Sequence, residues 1–181
     1  MFEGFNFIVF YIISQGFALL SIIFDLIAAQ RRKKADLLKM DTLAALCSSL
    51  HYAFLGAWSG LISKIVTTMW NGIAAYKAQN KRKSSKWLPV IFISLYIMLG
   101  VITFDSPFSI LPILAPSIYT IVIYNYDASV IRYAIVVTAI IWLIYDIYVL
   151  SIVGIVADII ITVNGLIAIY RYRKKQKKHH Q

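Results

Sequence analysis

Cysteine and acidic residues are scarce in this chain of 181 residues. The single cysteine, Cys47, cannot form a disulfide within the chain, which excludes a disulfide-stapled secreted fold. Only eight residues are Asp or Glu, and charged residues make up 14% of the chain, against about 25% in an ordinary soluble domain. Together with 60% hydrophobic residues and a mean hydropathy of +0.75, this composition excludes a soluble globular domain.

The chain also lacks catalytic and metal-binding motifs. It contains no paired-carboxylate site, no phosphate-binding loop and no nucleophile with an evident base, so we expect that the protein is not an enzyme. Cys47 and His51 lie four residues apart on one helix face, but a zinc site needs about four ligands. We therefore expect no metal and no cofactor, and we expect a neighbouring hydroxyl group to satisfy His51.

Long apolar runs are what the chain has in abundance. A membrane-spanning helix needs about 20 mainly apolar residues, and charged and turn-forming residues divide this sequence into seven such runs. The predicted spans are residues 7–29, 40–57, 59–77, 87–104, 107–125, 129–150 and 152–170. We therefore predict an all-α membrane protein with seven transmembrane helices, surrounded by a lipid bilayer.

The net charge of +10 comes from short basic runs between apolar segments, a pattern typical of membrane-flanking charge rather than of nucleic-acid binding. With seven spans, the loops 31–39, 77–86 and 125–132 and the C-terminal tail lie on one side of the membrane. They hold all but one of the 18 Lys and Arg residues. The positive-inside rule makes this side cytoplasmic and leaves the N-terminus outside. Residues 1–6 carry no Lys or Arg, so we expect the first helix to be retained.

The second half of the chain repeats features of the first at an offset of 93 residues: Tyr52 corresponds to Tyr145, and Asn71 corresponds to Asn164. A glycine follows each asparagine. Each segment holds two helices joined by an uncharged turn, and each ends in a basic run. This pattern predicts two parallel three-helix repeats, residues 1–86 and 107–181, joined by a linker helix within residues 87–106. We call this the 3+1+3 plan.

The third span carries a polar face. Lys64, Thr67, Thr68 and Asn71 follow one another at helical spacing, which places them on one side of a helix. A lysine at membrane depth costs about 2.5–3.5 kcal/mol on insertion scales, so it should face a protein interior or a wet cavity. We interpret this face as part of a substrate-binding site.

Lys64 requires a partner, and the sequence offers Asp158 and Asp146 without deciding between them. Either pair can serve as a structural ion pair or as a gate coupled to protons. Asp25 lies about one turn from the end of the first span, and we expect it to pair with the arginines that follow it. Three aromatic side chains can contact a solute or pack inside the bundle: Trp70, Trp142 and Tyr145.

Several motifs resemble those of the YgjV family of bacterial inner-membrane proteins. They are Ser14-Gln15-Gly16, the basic run 31–34, the segment 51–56 and the two Asn-Gly pairs. The 3+1+3 plan also resembles the SWEET and PQ-loop (MtN3-like) sugar transporters and the PnuC vitamin-precursor transporters. This resemblance implies the bacterial inner membrane. It also implies that Asn71 and Asn164 contact substrate, because SWEET-like proteins place an asparagine there from the third and seventh helices. Half-size relatives in that group dimerise, so a homo-oligomer is compatible with this interpretation.

We therefore expect a transporter of a small polar solute, either sugar-like or like a nucleoside or vitamin precursor. It would work by alternating access between the two three-helix units. An asparagine offers both a donor and an acceptor, which suits a solute with hydroxyl or amide groups. The alternative hypothesis is a non-transporting membrane scaffold or accessory protein, in which the polar residues satisfy one another inside a dry bundle. We expect no nucleic-acid partner.

Overall fold

The computed structural model describes residues 2–82 and 85–179, and it describes the side chains of residues 8–82, 85–127, 130–167, 169 and 170. Over these ranges the fold consists of helices without strands, which confirms the all-α prediction with seven α-helices. The helices are α1 (Phe2–Gln30), α2 (Lys34–Leu55), α3 (Trp58–Gln79), α4 (Trp87–Ile102), α5 (Leu111–Asn125), α6 (Ala128–Tyr148) and α7 (Ile152–His179). A short 3₁₀ helix, Pro107–Ile110, precedes α5.

Most helix ends fall within a few residues of the predicted spans, and three lie further out. Helix α1 begins at Phe2, before the predicted residue 7. Helix α2 begins at Lys34 rather than residue 40 because Lys, Ala and Leu in its first turns favour helix although they precede the apolar run. Helix α7 continues to His179 instead of ending near residue 170. The basic side chains predicted for the tail from residue 171 onward lie outside the described side chains.

Three helical segments among the described residues have the length and hydropathy of a membrane span: Ile8–Gln30, Pro107–Asn125 and Val130–Tyr148. Two further apolar helices, Trp87–Ile102 and Ile152–Ile167, are shorter. Helices α2 and α3 are less apolar because they bury serine, threonine, histidine and asparagine side chains. That all seven helices cross the bilayer therefore stays a prediction.

Helices α2 and α3 nevertheless each present one apolar side to the surroundings. The exposed stripes are Leu43, Leu46, Leu50 and Phe54 on α2, and Ile65, Met69 and Ile73 on α3. Spacings of three and four residues keep each stripe on a single helix face. An apolar outer face combined with a polar inner face is the arrangement expected when a membrane bundle encloses a polar interior.

Six of the helices form a closed ring. Helix α1 packs against α2, α2 against α3, α3 against α5, α5 against α6, α6 against α7, and α7 against α1. Helix α4 contacts α3 and α5 and lies outside the joint between them. The ring therefore has α1–α3 on one side and α5–α7 on the other, here called the first and second halves. The 3+1+3 plan and the repeat relation between the halves stay predictions.

The two ends of the ring differ in character. One end, here called the turn end, carries the tight turns between α2 and α3 and between α6 and α7. In these turns Gly56 has a φ of 74° and Leu150 has a φ of 56°, left-handed conformations that reverse the chain directly after a helix. The opposite end, here called the basic end, carries the chain segments around Arg31, Lys81 and Arg132.

Candidate functional site

A cavity occupies the centre of the ring and extends toward the basic end. Its volume is about 120 Å³, several times the roughly 15 Å³ that one water molecule needs. Every helix of the ring contributes to its wall, including Asp25 and Ala28 (α1), Asp41 (α2), Lys64 and Thr67 (α3), Tyr119 (α5), Trp142 (α6), and Asp158 and Asn164 (α7). A second cavity of about 40 Å³ lies nearer the turn end, and Lys64, Trp142 and Asp158 line both.

Lys64 lies at the centre of this site. Its Nζ is 4.0 Å from the centroid of the Trp142 ring, a distance at which the ring attracts the ammonium group. Four carboxylates from four helices lie within electrostatic range of this ammonium group: Asp25, Asp41, Asp146 and Asp158. Within the described part of the chain, none of them comes within the 4.0 Å of Lys64 Nζ that a salt bridge requires. The two predicted partners, Asp146 and Asp158, therefore lie near Lys64 but form no salt bridge with it.

Asp41 is held by two neutral donors. Its Oδ2 accepts hydrogen bonds from Asn71 Nδ2 at 2.8 Å and from the Tyr119 hydroxyl at 2.7 Å. These donors lie on α3 and α5, so one carboxylate of α2 ties three helices together through charge-assisted bonds. Asp41 was not among the predicted site residues, because in the sequence it resembles one more flanking charge after the basic run. The available signal was its helical spacing with Ser48 and Tyr52, which places all three on one face of α2.

Asp146 and Asp158 differ in how their charge is satisfied. Asp146 Oδ1 accepts a hydrogen bond from the Tyr52 hydroxyl at 2.7 Å. Asp158 is 8% exposed, and its Oδ2 has no hydrogen-bond partner in the described structure. A buried acceptor left without a partner is destabilising by about 1–3 kcal/mol, and more for a charged group. Oxygen Oδ2 of Asp158 is therefore a buried acceptor that still lacks a partner among the residues that the structure describes.

Two tyrosines that correspond at the predicted offset close the turn end. Tyr52 of the first half donates to Asp146 of the second half. Tyr145 of the second half accepts a hydrogen bond from the Gly60 N–H at 3.0 Å, and its hydroxyl lies 2.8 Å from that of Ser59. The two tyrosine rings meet edge to face with centroids 5.8 Å apart. Each tyrosine therefore bonds across the ring to the opposite half.

His51 links three parts of the ring near the same end. Its Nδ1 lies 2.9 Å from the backbone carbonyl oxygen of Ser14, and its Nε2 lies 2.9 Å from the hydroxyl of Ser151. A neutral imidazole with the proton on Nδ1 donates to the carbonyl and accepts from the hydroxyl. The expectation that a neighbouring hydroxyl satisfies His51 is confirmed. These contacts connect α1 and α2 to the turn before α7.

Comparison with known protein families identifies the family of this chain. The profile of the Imp-YgjV family, described as bacterial inner membrane protein, matches residues 12–176, a range that includes every site residue described above. The chain belongs to the Imp-YgjV family. The resemblance drawn from its motifs is thereby confirmed, and the bacterial inner membrane is the location of this Imp-YgjV protein. No curated protein and no solved structure matches the chain.

The structure divides the predicted site residues of this Imp-YgjV protein into two groups. The first group lines the central cavity, or the smaller cavity in the case of Asp146: Lys64, Thr67, Trp142, Asp146, Asp158 and Asn164. The second group lines neither cavity: Thr68, Trp70, Asn71 and Tyr145. Of these, Thr68 donates to the backbone carbonyl of Lys64 at 2.8 Å, one helical turn earlier.

Trp70 and the two asparagines occupy quite different surroundings. Trp70 is 1% exposed and packs against Phe92 of α4, with ring centroids 5.1 Å apart, on the side away from the cavity. Asn71 is fully buried and bonded to Asp41, whereas Asn164 is exposed and lines the cavity. The two asparagines are therefore not equivalent in the structure. Asp25, which we expected to pair with arginines, faces the cavity instead.

At the basic end, two cations contact helix ends of the opposite half. Lys34 of α2 donates to the carbonyl oxygens of Ile123 at 2.6 Å and Tyr126 at 2.8 Å, at the end of α5. Arg132 of α6 donates to the carbonyl oxygen of Arg31 at 3.3 Å, just after α1. Cations at these positions also interact favourably with the helix dipole. Polar contacts between the halves of the Imp-YgjV ring therefore exist at both ends.

Proposed function

We propose that this protein carries a small polar solute across the bacterial inner membrane by alternating access, without an enzymatic step. The observation that carries the proposal is the central cavity, which both halves line and which hydrogen bonds between the halves close at the turn end. In this proposal all seven helices cross the bilayer, and the six-helix ring surrounds the pathway. The solute is sugar-like or resembles a nucleoside or vitamin precursor in size and polarity.

Charge supports one orientation of the ring. The positive-inside rule places the basic end in the cytoplasm and the N-terminus outside. In this orientation the cavity extends toward the cytoplasm, and the two tyrosines lie on the outer side of it. Contacts between the halves are present at both ends in this structure, so the arrangement corresponds to a closed state of the transport cycle whose cavity lies nearer the cytoplasm.

The contacts that close the turn end are suited to opening. They are chiefly the hydrogen bonds that the hydroxyl groups of Tyr52 and Tyr145 form with two side chains and one backbone N–H of the opposite half. Hydrogen bonds between helices in membranes average about 0.6 kcal/mol, so they can be exchanged for bonds to water at moderate free energy. The contacts of Lys34 and Arg132 at the basic end lie on the opposite side of the cavity. Rocking the halves would break one set of contacts while the other set is kept.

Within this proposal the residues have distinct roles. Asn164, Thr67 and Trp142 line the cavity and would contact the solute. Asp41 also lines the cavity, and Asn71 would act through it by fixing the orientation of its carboxylate. This assignment gives Asn71 a positioning role and Asn164 a direct one.

The proposal is tested by measuring binding and transport in sequence. Thermal unfolding of the purified protein is measured with sugars, nucleosides, vitamin precursors, amino acids and amines. A compound at 100 times its Kd should stabilise the fold by about 2.7 kcal/mol. Uptake of that compound into proteoliposomes then tests transport. Asp41→Asn should abolish both signals, and Thr68→Ala, on the same helix as Lys64 but outside both cavities, should leave both unchanged.

The scaffold or accessory hypothesis predicts the opposite results. Under that hypothesis, no compound stabilises the folded protein, or a compound stabilises it but is not taken up by proteoliposomes. Either outcome would refute the transport proposal. A homo-oligomer is compatible with both functions, and size-exclusion chromatography with light scattering distinguishes monomer from dimer.

A further inference from the structure

The centre of the ring holds more carboxylates than cations. Asp25, Asp41 and Asp158 line the central cavity, and Asp146 lines the smaller cavity beside it. The cations facing them are Lys64 and Arg132. Arg132 lies at the basic end, where its guanidinium group donates to the backbone of Arg31. Lys64 is therefore the one cation of the described cavity wall that lies among the acidic side chains.

One of these carboxylates lines both cavities and has a buried oxygen without a partner among the described residues. Asp158 lines both cavities, its side chain is 8% exposed, and its Oδ2 is buried without a hydrogen-bond partner. Asp41 and Asp146, in contrast, accept hydrogen bonds from tyrosine hydroxyls. Oxygen Oδ2 of Asp158 is thus an unpaired acceptor in the cavity wall, and a small movement of its side chain would let it accept an N–H or O–H donor from a bound molecule.

The position of Lys64 shows which chemical group this site accommodates. An ammonium group, that of Lys64, already lies over the face of Trp142 at 4.0 Å from its centroid. It is surrounded by carboxylates from both halves. Aromatic faces bordered by carboxylates attract organic cations through the ring quadrupole and through charge. The lysine side chain therefore acts like a tethered ligand at the end of a flexible stem.

We propose that the solute of this cavity is a small protonated amine, and that the Lys64 ammonium group occupies the position of this amine over the Trp142 ring while the cavity is empty. The incoming amine would lie over the Trp142 ring and donate to Asp158, and Lys64 would swing away from the ring. This inference rests on the proposed function, because it names the class of solute that the same cavity carries.

Other classes of solute fit the cavity less well. Across the described residues, no group of three or more His, Cys, Asp or Glu side chains lies close enough together to hold a metal ion, so the carboxylates are too dispersed for a compact cation. An anion would meet an excess of negative charge. A neutral solute would leave the acidic side chains uncompensated once Lys64 had moved off the ring.

The experiment compares amines, neutral diols and hydroxy acids in two sets, one with a two-carbon chain and one with a five-carbon chain. The amines are ethanolamine and 5-aminopentan-1-ol, the neutral probes are ethylene glycol and pentane-1,5-diol, and the anions are glycolate and 5-hydroxypentanoate. Thermal unfolding of the full-length protein in detergent is measured with each, and uptake is measured in proteoliposomes. We expect at least one amine to raise the Tm and to be taken up, whereas the diols and hydroxy acids have no effect.

Variants of Lys64 and Asp158 test the proposed geometry. Lys64→Gln removes the tethered competitor, so the apparent Kd of the amine should fall by about tenfold. Lys64→Arg keeps a competing cation and should retain the affinity of the parent. Asp158→Asn should weaken amine binding by about tenfold or more. If Lys64→Gln requires a ligand to fold, the variant is purified once with the amine and once with the diol. Folding that only the amine restores supports the inference. Equal yields of folded protein with the amine and the diol refute it.

The outcomes separate this inference from the proposed function. If a diol or a hydroxy acid stabilises the protein to the same extent as the amine and is taken up, the amine inference is wrong and the transport proposal is supported. If an amine binds in a manner that requires Asp158 but is not taken up, the transport proposal is refuted and the proposed amine-binding site is supported. If no probe binds either the folded parent or the folded Lys64→Gln variant, the inference is overturned, while the wider solute panel still decides the proposed function.

Discussion

Removing the hydroxyl group of Tyr52 should destabilise the protein more than removing that of Tyr145. The two side chains are related by the predicted offset, lie at the same end of the ring and share a ring–ring contact. Their hydroxyl groups differ in partner. Tyr52 donates to the carboxylate of Asp146, whereas Tyr145 contacts a serine hydroxyl and a backbone N–H. A phenylalanine at either position keeps the ring packing and removes only these bonds.

The expected magnitudes follow from the charge of the partner. A hydrogen bond to a charged group contributes about 1.5–3 kcal/mol, and one between neutral groups about 0.5–1.5 kcal/mol. Measured values in membranes average about 0.6 kcal/mol with a maximum near 1.7 kcal/mol. Asp146 is 3% exposed, so the free-energy cost of removing its donor should lie near the upper end of the range measured in membranes. We expect Tyr52→Phe to lower the free energy of unfolding by about 1.5–1.7 kcal/mol and Tyr145→Phe by about 0.6–1 kcal/mol.

Reversible unfolding in mixed micelles, titrated with SDS, measures both values. The matched control is Tyr148→Phe, on the same helix as Tyr145. Tyr148 is 43% exposed and stacks on Phe108 at 4.5 Å, and removal of its hydroxyl should change the free energy by less than about 0.5 kcal/mol. Equal losses for Tyr52→Phe and Tyr145→Phe, or a larger loss for Tyr145→Phe, would refute the reasoning that charge decides the difference.

Three further predictions use the same unfolding assay. Gly154→Ala places a methyl group against a neighbouring carboxylate and serine hydroxyl and should lower stability by about 1–3 kcal/mol. Its control, Gly16→Ala, has nothing within 4 Å of the added carbon and should be neutral or stabilising by up to about 1 kcal/mol. Asn71→Ala should lower stability by about 1–2 kcal/mol because it removes a charge-assisted bond, whereas Asn164→Ala should leave stability within about 0.5 kcal/mol. Lys34→Met removes bonds to two carbonyl oxygens and should cost about 1 kcal/mol, and a larger drop in Tm at low salt than at high salt would agree with this role.

The number of helices and most of their ends could be predicted because the signals for them are local. An apolar run of about 20 residues forms a helix in a membrane whatever surrounds it, since its backbone must bond to itself. The uncharged turns and basic runs mark where each run ends. Only the starts of α1 and α2 and the end of α7 were misplaced, because helix can continue beyond the apolar run into the interface.

The site was predicted less completely because its contacts join distant parts of the chain. The polar face of α3 was correctly expected to lie inside, yet its spacing could not distinguish a cavity-lining residue from a buried one. Thr67 lines the cavity and Asn71 does not. The bond between Asn71 and Asp41 joins residues 30 positions apart, and that between Tyr119 and Asp41 joins residues 78 apart. Such pairings arise from the order of helices in the ring, which hydropathy does not encode.

The predicted offset separates two kinds of residue in the ring. The tyrosines of the turn end and the tight turns beside them recur in both halves, whereas Lys64 and the acidic side chains of the cavity do not: Asp41 corresponds to Ala134, Lys64 to Ala157 and Asp158 to Ile65. The recurring tyrosines nevertheless bond to different partners, Asp146 for Tyr52 and Ser59 with the Gly60 N–H for Tyr145. The cavity thus has a central cationic side chain on α3 and acidic side chains on α1, α2 and α7. A solute with one charged end and one neutral end would then bind in a single orientation, which a symmetric lining could not enforce.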